Sequence, residues 1–216
     1  MTKRGSLDCE EELRRWSVDS RCLIGVDEVG RGCLAGPVVA GAVLFDWSNP
    51  EPIFNLAQRF PIRDSKTLSR KQRQETSKAI RDVARAIGIA EIDSVVIDEI
   101  NILQATLRAM SAAVRSLPIN KGESDGVALV LVDGNQRIPN LDIPQETVID
   151  GDAKIFSIAA ASIVAKEYRD LLMEKFDETI PGYNFSSHKG YGTKAHVDAI
   201  RCIGLSPIHR KTFWHG

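Results

Sequence analysis

Asp27 and Glu28 follow directly on the apolar run Cys22–Val26, and Asp133 follows directly on the run Val127–Val132. A fourth acid, Asp152, stands just ahead of a long segment of helical character. Apolar runs of this length suit strands buried in a sheet. In open α/β sheets, sites form outside the C-terminal ends of such strands. If the two strands are neighbours, their carboxylates converge. Four acids at one sheet edge repel each other unless they keep their protons or a divalent cation sits among them. Oxygen-only donors select hard ions, Mg2+ or Mn2+, over zinc. Ions held in this way suit phosphoryl transfer, in which one activates water and the other stabilises the leaving oxygen. Plainer explanations exist for two of the acids: Asp152 suits a helix N-cap, and Asp133-Gly134 is a common turn pair.

Two further groups could meet a ligand. Gly30-Arg31-Gly32 follows the first acidic pair, and two glycines around an arginine leave a backbone whose N–H groups can approach a bound group closely. Asp64-Ser65-Lys66 heads a basic stretch; it reads either as a turn into a helix or as a device that sets Lys66 against a phosphate. The four histidines all lie between His188 and His215. They lack the paired cysteines of a structural zinc site, so zinc is disfavoured.

The elements that must position these residues follow from periodicity. A short helix is expected near Glu10–Trp16, then strands at Cys22–Val26 and at Pro37–Phe45, where the proline can open a strand but not sit within it. Asp64–Ala86 starts as a loop and continues as a helix dense in Lys and Arg. Gly88–Val96 alternates as a strand does. Ile100, Leu103, Leu107, Met110, Ala113 and Val114 recur at steps of three and four, which predicts a single amphipathic helix over Ile97–Leu117. After a turn at Gly122–Gly126 come strands at Val127–Val132 and Thr147–Ile149, then a long helix, Ile155–Phe176. Its middle, Ala159–Ala161 with Ser162, is small enough to lie close on a sheet and reads as packing. A loop over Pro181–Tyr191, a helix at Lys194–Ile203 and a tail from Ser206 complete the chain. This order predicts an α/β fold with a mixed sheet flanked by helices.

The chain has 216 residues, 43% of them apolar, with 28 Lys and Arg against 29 Asp and Glu. That excludes a disordered, collagen-like or coiled-coil chain, and the length suits one domain with a real core. The charge is uneven: Arg59 to Arg85 holds nine basic and three acidic residues, and His188 to Gly216 holds five and one. Such stretches in a near-neutral protein predict a positive surface, or more plainly a solvated helix face and a basic tail. Cys9, Cys22, Cys33 and Cys202 show no C-x-x-C pair and read as reduced thiols. No apolar leader is visible and the longest apolar run, Gly36–Phe45, is short of the ~20 residues of a membrane span. A cytoplasmic protein is expected, without a membrane partner.

Several motifs in order resemble one family. Gly25-Val26-Asp27-Glu28-Val29-Gly30-Arg31-Gly32 with Leu34-Ala35-Gly36-Pro37-Val38-Val39 resembles the opening signature of bacterial ribonuclease HII. Asp64-Ser65-Lys66, Val132-Asp133-Gly134-Asn135, and Gly151-Asp152 with Ser157–Lys166 resemble its next elements. His188–Thr193 with His196, and Ser206–Arg210, resemble its C-terminal ones. The resemblance covers about residues 21–213 and implies a ribonuclease H-like mixed five-stranded sheet with a C-terminal helical extension over about residues 182–216. It divides the chain into a polar N-terminal segment, residues 1–20, and one catalytic domain, residues 21–216. It implies hydrolysis of the RNA strand of RNA–DNA hybrids and incision 5′ of ribonucleotides embedded in duplex DNA, leaving 5′-phosphate and 3′-hydroxyl ends. Asp27, Glu28, Asp133 and Asp152 would hold Mn2+ or Mg2+, two ions in the catalytic complex. Gly30, Arg31 and Gly32 would contact the 2′-hydroxyl, Tyr191 would stack on the sugar of the next nucleotide, and Lys66 would face a phosphate. A monomer is expected; a contact with a replication clamp stays open. Without the motif, Tyr191 reads as an ordinary packed loop aromatic.

Three positions depart from the family pattern. Cys33 replaces a common proline that would stiffen the loop, and is expected to loosen junction recognition slightly. Glu167 replaces an apolar residue and is expected at the surface. Asp150 lies two residues from Asp152 and competes for its role. A non-cleaving hybrid-binding module, a ribonuclease HIII-like enzyme and a phosphatase are the alternatives. The first would lack part of the acidic set, the second carries a large N-terminal substrate-binding domain, and the third leaves the basic stretches and Tyr191 unexplained.

Overall fold

Five segments pair into one sheet: β1 (Leu23–Val29), β2 (Val38–Leu44), β3 (Ala86–Ile92), β4 (Leu129–Asp133) and β5 (Gln145–Val148). Their spatial order is β3-β2-β1-β4-β5. β1–β2 and β2–β3 are antiparallel, whereas β1–β4 and β4–β5 are parallel. This is the expected mixed sheet. The computed structural model describes residues 7–19, 22–119 and 128–216. The turn expected at Gly122–Gly126, the first residue of the run Val127–Val132 and the chain start before Leu7 lie outside them.

The helices are α1 (Glu10–Asp19), α2 (Glu51–Arg59), α3 (Arg70–Val83), α4 (Ser94–Ile100), α5 (Ile102–Arg115), α6 (Phe156–Thr179), α7 (Phe185–His188) and α8 (Lys194–Ile203). Alternation along the strands splits the core. Leu23, Val43 and Phe45 face α6 with its Phe156, Ala159–Ala161, Ile163 and Val164. Ile24, Val26, Ala40, Ala42, Val130 and Val132 face Leu107, Met110, Ala113 and Val114 of α5. Strand side chains point alternately to opposite faces, so β1 and β2, covered on both sides, are apolar almost throughout.

The small middle of α6 does lie close on the sheet. A Cβ at Gly25 would stand 2.1 Å from the Ser157 carbonyl carbon, and one at Gly41 would stand 2.7 Å from the Ala161 oxygen. Both glycines are there for that approach.

Three expectations need correction. The single helix over Ile97–Leu117 is two, because Asn101 takes φ 66 and its side chain accepts a hydrogen bond from the Gln104 N–H at 3.1 Å, capping α5. The strand expected to reach Val96 stops at Ile92, since Asp93 caps α4 by accepting from the Val96 N–H. The loop Pro181–Tyr191 contains α7, and α2, with a proline in its first turn, was not foreseen. The expected helix in the basic stretch begins only at Arg70, where Ser69 and Gln72 form a capping box.

The C-terminal segment closes over one end of α6. Tyr183, Phe185 and Ile200 bury against Met173 and Ala35. The tail folds back: Asp98 accepts from the N–H groups of Lys211 and Thr212, and the Arg210 guanidinium sits 5.2 Å from the Phe213 ring centroid. Among the described residues no helix is long and apolar enough to cross a membrane.

Candidate active site

The register of β1 and β4 decides where the acids meet. Val26 lies opposite Val132, so Asp27 and Asp133 are next to each other at the ends of adjacent parallel strands. Carboxylate oxygens of Asp27, Glu28 and Asp133 all lie within 4.8 Å of one another. Asp27 is buried and its Oδ1 accepts from the Glu28 N–H at 2.7 Å. Asp133 Oδ1 accepts from the Gly151 N–H at 2.7 Å. That bond ties the end of β4 to the short turn Gly151–Ala153 that carries Asp152.

Asp152 is half-buried and outside that tight trio, yet it feels the trio's charge. Burial, then Asp133, then Asp64 push its carboxyl above the ordinary range. It does not cap α6, whose N-cap is Ile155 with no side-chain hydrogen bond. Asp150 is a poor rival: its side chain is 76% exposed and 4.0 Å from Lys154. Gly134, at φ 92, bends the chain after β4, so Asp133 both ends its strand and faces the cluster.

The electrostatics match a site short of positive charge. Burial first, then Glu28 and Asp133, hold the Asp27 carboxyl well above its usual value. Burial also raises Glu28, against the pull of the Arg31 guanidinium 3.4 Å away. Burial alone would lower the Lys66 ammonium, but Asp152, Asp64 and Asp27 together hold it above its ordinary value.

The Gly30–Gly32 loop is held from below by two buried arginines. Arg210 donates to the carbonyls of Gly30 at 2.7 Å, Arg31 at 2.8 Å and Gly36 at 3.0 Å. Arg169 donates to Pro37, Ala35 and Lys189 carbonyls. Gly30 takes φ 92, and a Cβ there would stand 2.3 Å from Arg169 Nε; nothing lies within 4 Å of one at Gly32, which faces open space.

Cys33 is tied into this loop. It is fully buried, bridges Tyr191 in antiparallel fashion, donates its thiol to the Lys189 carbonyl at 3.7 Å and its N–H to Gly30 at 3.4 Å. Proline has no N–H to make the last contact. Glu167 is likewise buried, not at the surface, 4.0 Å from Arg73.

A cleft of about 170 Å³ runs beside the acids, lined by Glu28, Gly30, Arg31, Gly32, Lys66 and Tyr191 together with Ser65, Ser162 and Lys166. The expected substrate residues therefore share one hollow. The last three lining residues were not foreseen as site residues. Ser162, read as packing, hydrogen-bonds Ser65 Oγ at 2.9 Å and gives Asp27 a hydrogen bond that partly offsets its burial. Lys166 pairs with Asp170 at 2.7 Å and its ammonium sits 5.7 Å from the Tyr191 ring centroid. The signal was present: Ser162 and Lys166 are four apart on one helix and so share a face.

Comparisons with known proteins point to one family and one fold. Residues 24–215 match the family model described as ribonuclease HII. Ribonuclease HII of Pelodictyon phaeoclathratiforme is 50% identical over 190 residues, 88% of this chain and 87% of that protein. The crystal structure of ribonuclease H2 from Pyrococcus horikoshii OT3 superposes with a TM-score of 0.69 at 25% identity, covering 89% of this chain and 93% of that one. Bst-RNase HIII in complex with Mn2+ superposes with a TM-score of 0.65 at 20% identity, covering 86% of this chain and 64% of that one; this last likeness is one of fold.

Proposed function

The chain belongs to the ribonuclease HII family, and on that premise we propose that Asp27, Glu28, Asp133 and Asp152 hold the divalent ions of its phosphodiester hydrolysis. The protein is a metal-dependent endoribonuclease acting on RNA–DNA hybrids. The proposal extends this to incision 5′ of single ribonucleotides in duplex DNA, leaving 5′-phosphate and 3′-hydroxyl ends.

One observation carries the assignment of the acids: oxygens of three carboxylates lie within 4.8 Å of one another, with Asp27 buried among them. Such an oxygen-only set fits a hard dication, Mg2+ or Mn2+, and the Mn2+ in the Bst-RNase HIII complex supports an ion of that class. When bound, divalent ions neutralise charge on the scissile phosphate and lower the pKa of attacking water.

The chain's own residues do the rest. Arg210 occupies the carbonyls of Gly30 and Arg31, which leaves the loop one shape in which its main chain can meet the 2′-hydroxyl, the group that separates RNA from DNA. Tyr191 lines the same cleft, which supports its stacking on the next sugar. Lys66, its charge favoured by Asp152, Asp64 and Asp27, would take a phosphate. The full set of acids argues against a module that grips hybrids without cutting.

The test is cleavage of a DNA duplex holding one ribonucleotide. Asp27→Asn and Asp133→Asn should each lose activity on the order of a hundredfold or more with unchanged circular dichroism, and a chelator should silence the parent. Full activity in either variant, or a cut mapped away from the 5′ side of the ribonucleotide, would refute the assignment.

A further inference from the structure

Three imidazoles, His188, His196 and His209, are buried together behind Tyr191. None is used by the hydrolysis described above. Their hydrogen-bond partners are main-chain groups, a hydroxyl and each other, and these partners fix which nitrogen carries each proton.

The Ser206 N–H points at His209 Nδ1 at 2.8 Å, and the Ser206 hydroxyl lies 2.7 Å from the same atom. An N–H can only donate, so Nδ1 is bare and the His209 proton is on Nε2. His209 Nε2 is 3.0 Å from His196 Nε2. One of these two nitrogens must accept, so His196 Nε2 is bare and its proton is on Nδ1. His196 Nδ1 then donates to the Tyr191 carbonyl at 2.9 Å. Each link dictates the next, and both rings must be neutral. Burial favours that state, lowering His196 and bringing His209 down to about 4.

The other end of Tyr191 is held in the same way. His188 accepts from the Gly190 N–H on Nδ1 at 3.2 Å and so donates from Nε2 to the Tyr183 carbonyl at 2.8 Å. Its own carbonyl accepts the Tyr191 N–H at 2.9 Å. His188 stacks on His196 with centroids 4.2 Å apart and planes at 17°. Tyr191 itself is 38% exposed. Its main chain is held at several points: the carbonyl also accepts the Thr193 N–H at 2.8 Å, and the residue bridges Cys33.

We propose that Ser206, His209 and His196 form a one-way chain of hydrogen bonds that fixes the Tyr191 main chain, making His196 and His209 positioning residues for discrimination of the sugar after the cut ribonucleotide. The inference rests on the reading of Tyr191 given above. It adds residues away from the acids to the determinants of substrate choice, acting through Tyr191.

The readout is the ratio of kcat/KM on a duplex with one ribonucleotide followed by DNA to that on the same duplex with a run of ribonucleotides. His209→Gln places an amide nitrogen near the site of Nε2 and can still donate to His196. His209→Asn places it near Nδ1 and cannot. We expect His209→Asn to lower the ratio roughly three- to tenfold, the scale of one hydrogen bond, and His209→Gln to restore most of it. A parent-like ratio in His209→Asn overturns the proposal. Tyr191→Leu separates it from its premise: an unchanged ratio there removes the role of the ring and the proposal with it, whereas a lowered ratio beside a parent-like His209→Asn removes only the role of the chain. Imidazole ¹⁵N spectra of the unaltered protein test the same claim without any variant. They should show protons on His209 Nε2 and His196 Nδ1, and the reverse assignment overturns the proposal whether or not His209→Asn folds.

Discussion

At the scale of single residues, Glu12 shows how burial changes what a side chain does. It is fully buried, its Oε1 accepts from the Ser157 N–H at 2.7 Å, and its Oε2 has no hydrogen-bond partner. Burial pushes its carboxyl up to about 7, against the pull of Ser157. An ordinary glutamate near 4.5 in the unfolded chain gives up its proton first. The folded form thus binds more protons between those values, and stability from this residue is greatest below pH 4.5 and is lost as pH rises through 7. The shift corresponds to roughly 3 kcal/mol. Glu12→Gln keeps the acceptor and removes the titration. It should flatten the fall in urea-unfolding stability between pH 5 and pH 8 by about that amount and leave the variant the more stable protein at pH 8. Equal slopes for parent and variant would contradict the argument. Nearby Cys9, pushed up to about 12 mainly by burial, should stay inert to thiol reagents while the protein is folded.

At the scale of elements, α6 lacks a cap of its own. Ile155 offers no side-chain oxygen, and Glu12 of α1 supplies one from 145 residues away. A second tie, from both Arg15 terminal nitrogens to Glu146 of β5 at 2.6 and 3.0 Å, holds α1 in place. The capped end is also where α6 touches β1 most closely, at Gly25. Gly25→Ala forces a Cβ into the Ser157 backbone and should cost at least about 3 kcal/mol, enough to abolish soluble folded protein. Gly32→Ala meets nothing within 4 Å. It should unfold within a degree or two of the parent, yet cut embedded ribonucleotides poorly, because its methyl group would stand in the space proposed for the ribose. Parent-like cutting by Gly32→Ala would remove Gly32 from the substrate contacts. The split between α4 and α5 was legible afterwards in Asn101 with Gln104 three positions on, a helix-start pattern. The 3.6-residue apolar rhythm simply runs on across it, since both helices cover the same face of the sheet.

At the scale of the whole molecule, a net charge of −1 does not say how charge is distributed. Arg70, Lys71, Lys78 and Arg81 of α3 are exposed, the first three beside Glu174, Glu75 and Asp82, whereas Arg73 on the same helix is buried against Asp170 at 2.8 Å. With four phosphates contacted, affinity for a hybrid should fall on the order of a hundredfold between about 50 and 200 mM salt. A salt-independent affinity, measured by anisotropy with catalysis blocked, would show that α3 is only a solvated face. The C-terminal segment packs on α6 and bonds the glycine loop. Deleting residues 206–216 removes Arg210 from under the glycine loop and Ser206 and His209 from behind Tyr191. Hydrogen exchange at residues 30–34 should then quicken and cleavage should be lost; an unchanged exchange rate there would mean that the loop holds its own shape.

Local stretches of sequence already carry the kinds of groups available and the faces they share. Apolar runs marked the central strands, acids marked their ends, and the small stretch Ala159–Ala161 marked the helix that lies on the sheet. Those features are local, because strand and helix periods assign each side chain to a face within a few residues. The motifs around Asp27, Asp133 and Tyr191 carried the family likeness for the same reason. That β1 and β4 are neighbours, in a register that sets Asp27 beside Asp133, emerges only on folding. Folding also put Glu12 under α6, brought Ser162 and Lys166 into the cleft, buried Glu167, and lined up Ser206, His209 and His196 behind Tyr191. Each of these joins groups far apart along the chain. Such a pairing has no local period to betray it, and is chosen by which whole arrangement leaves the fewest buried polar groups without partners.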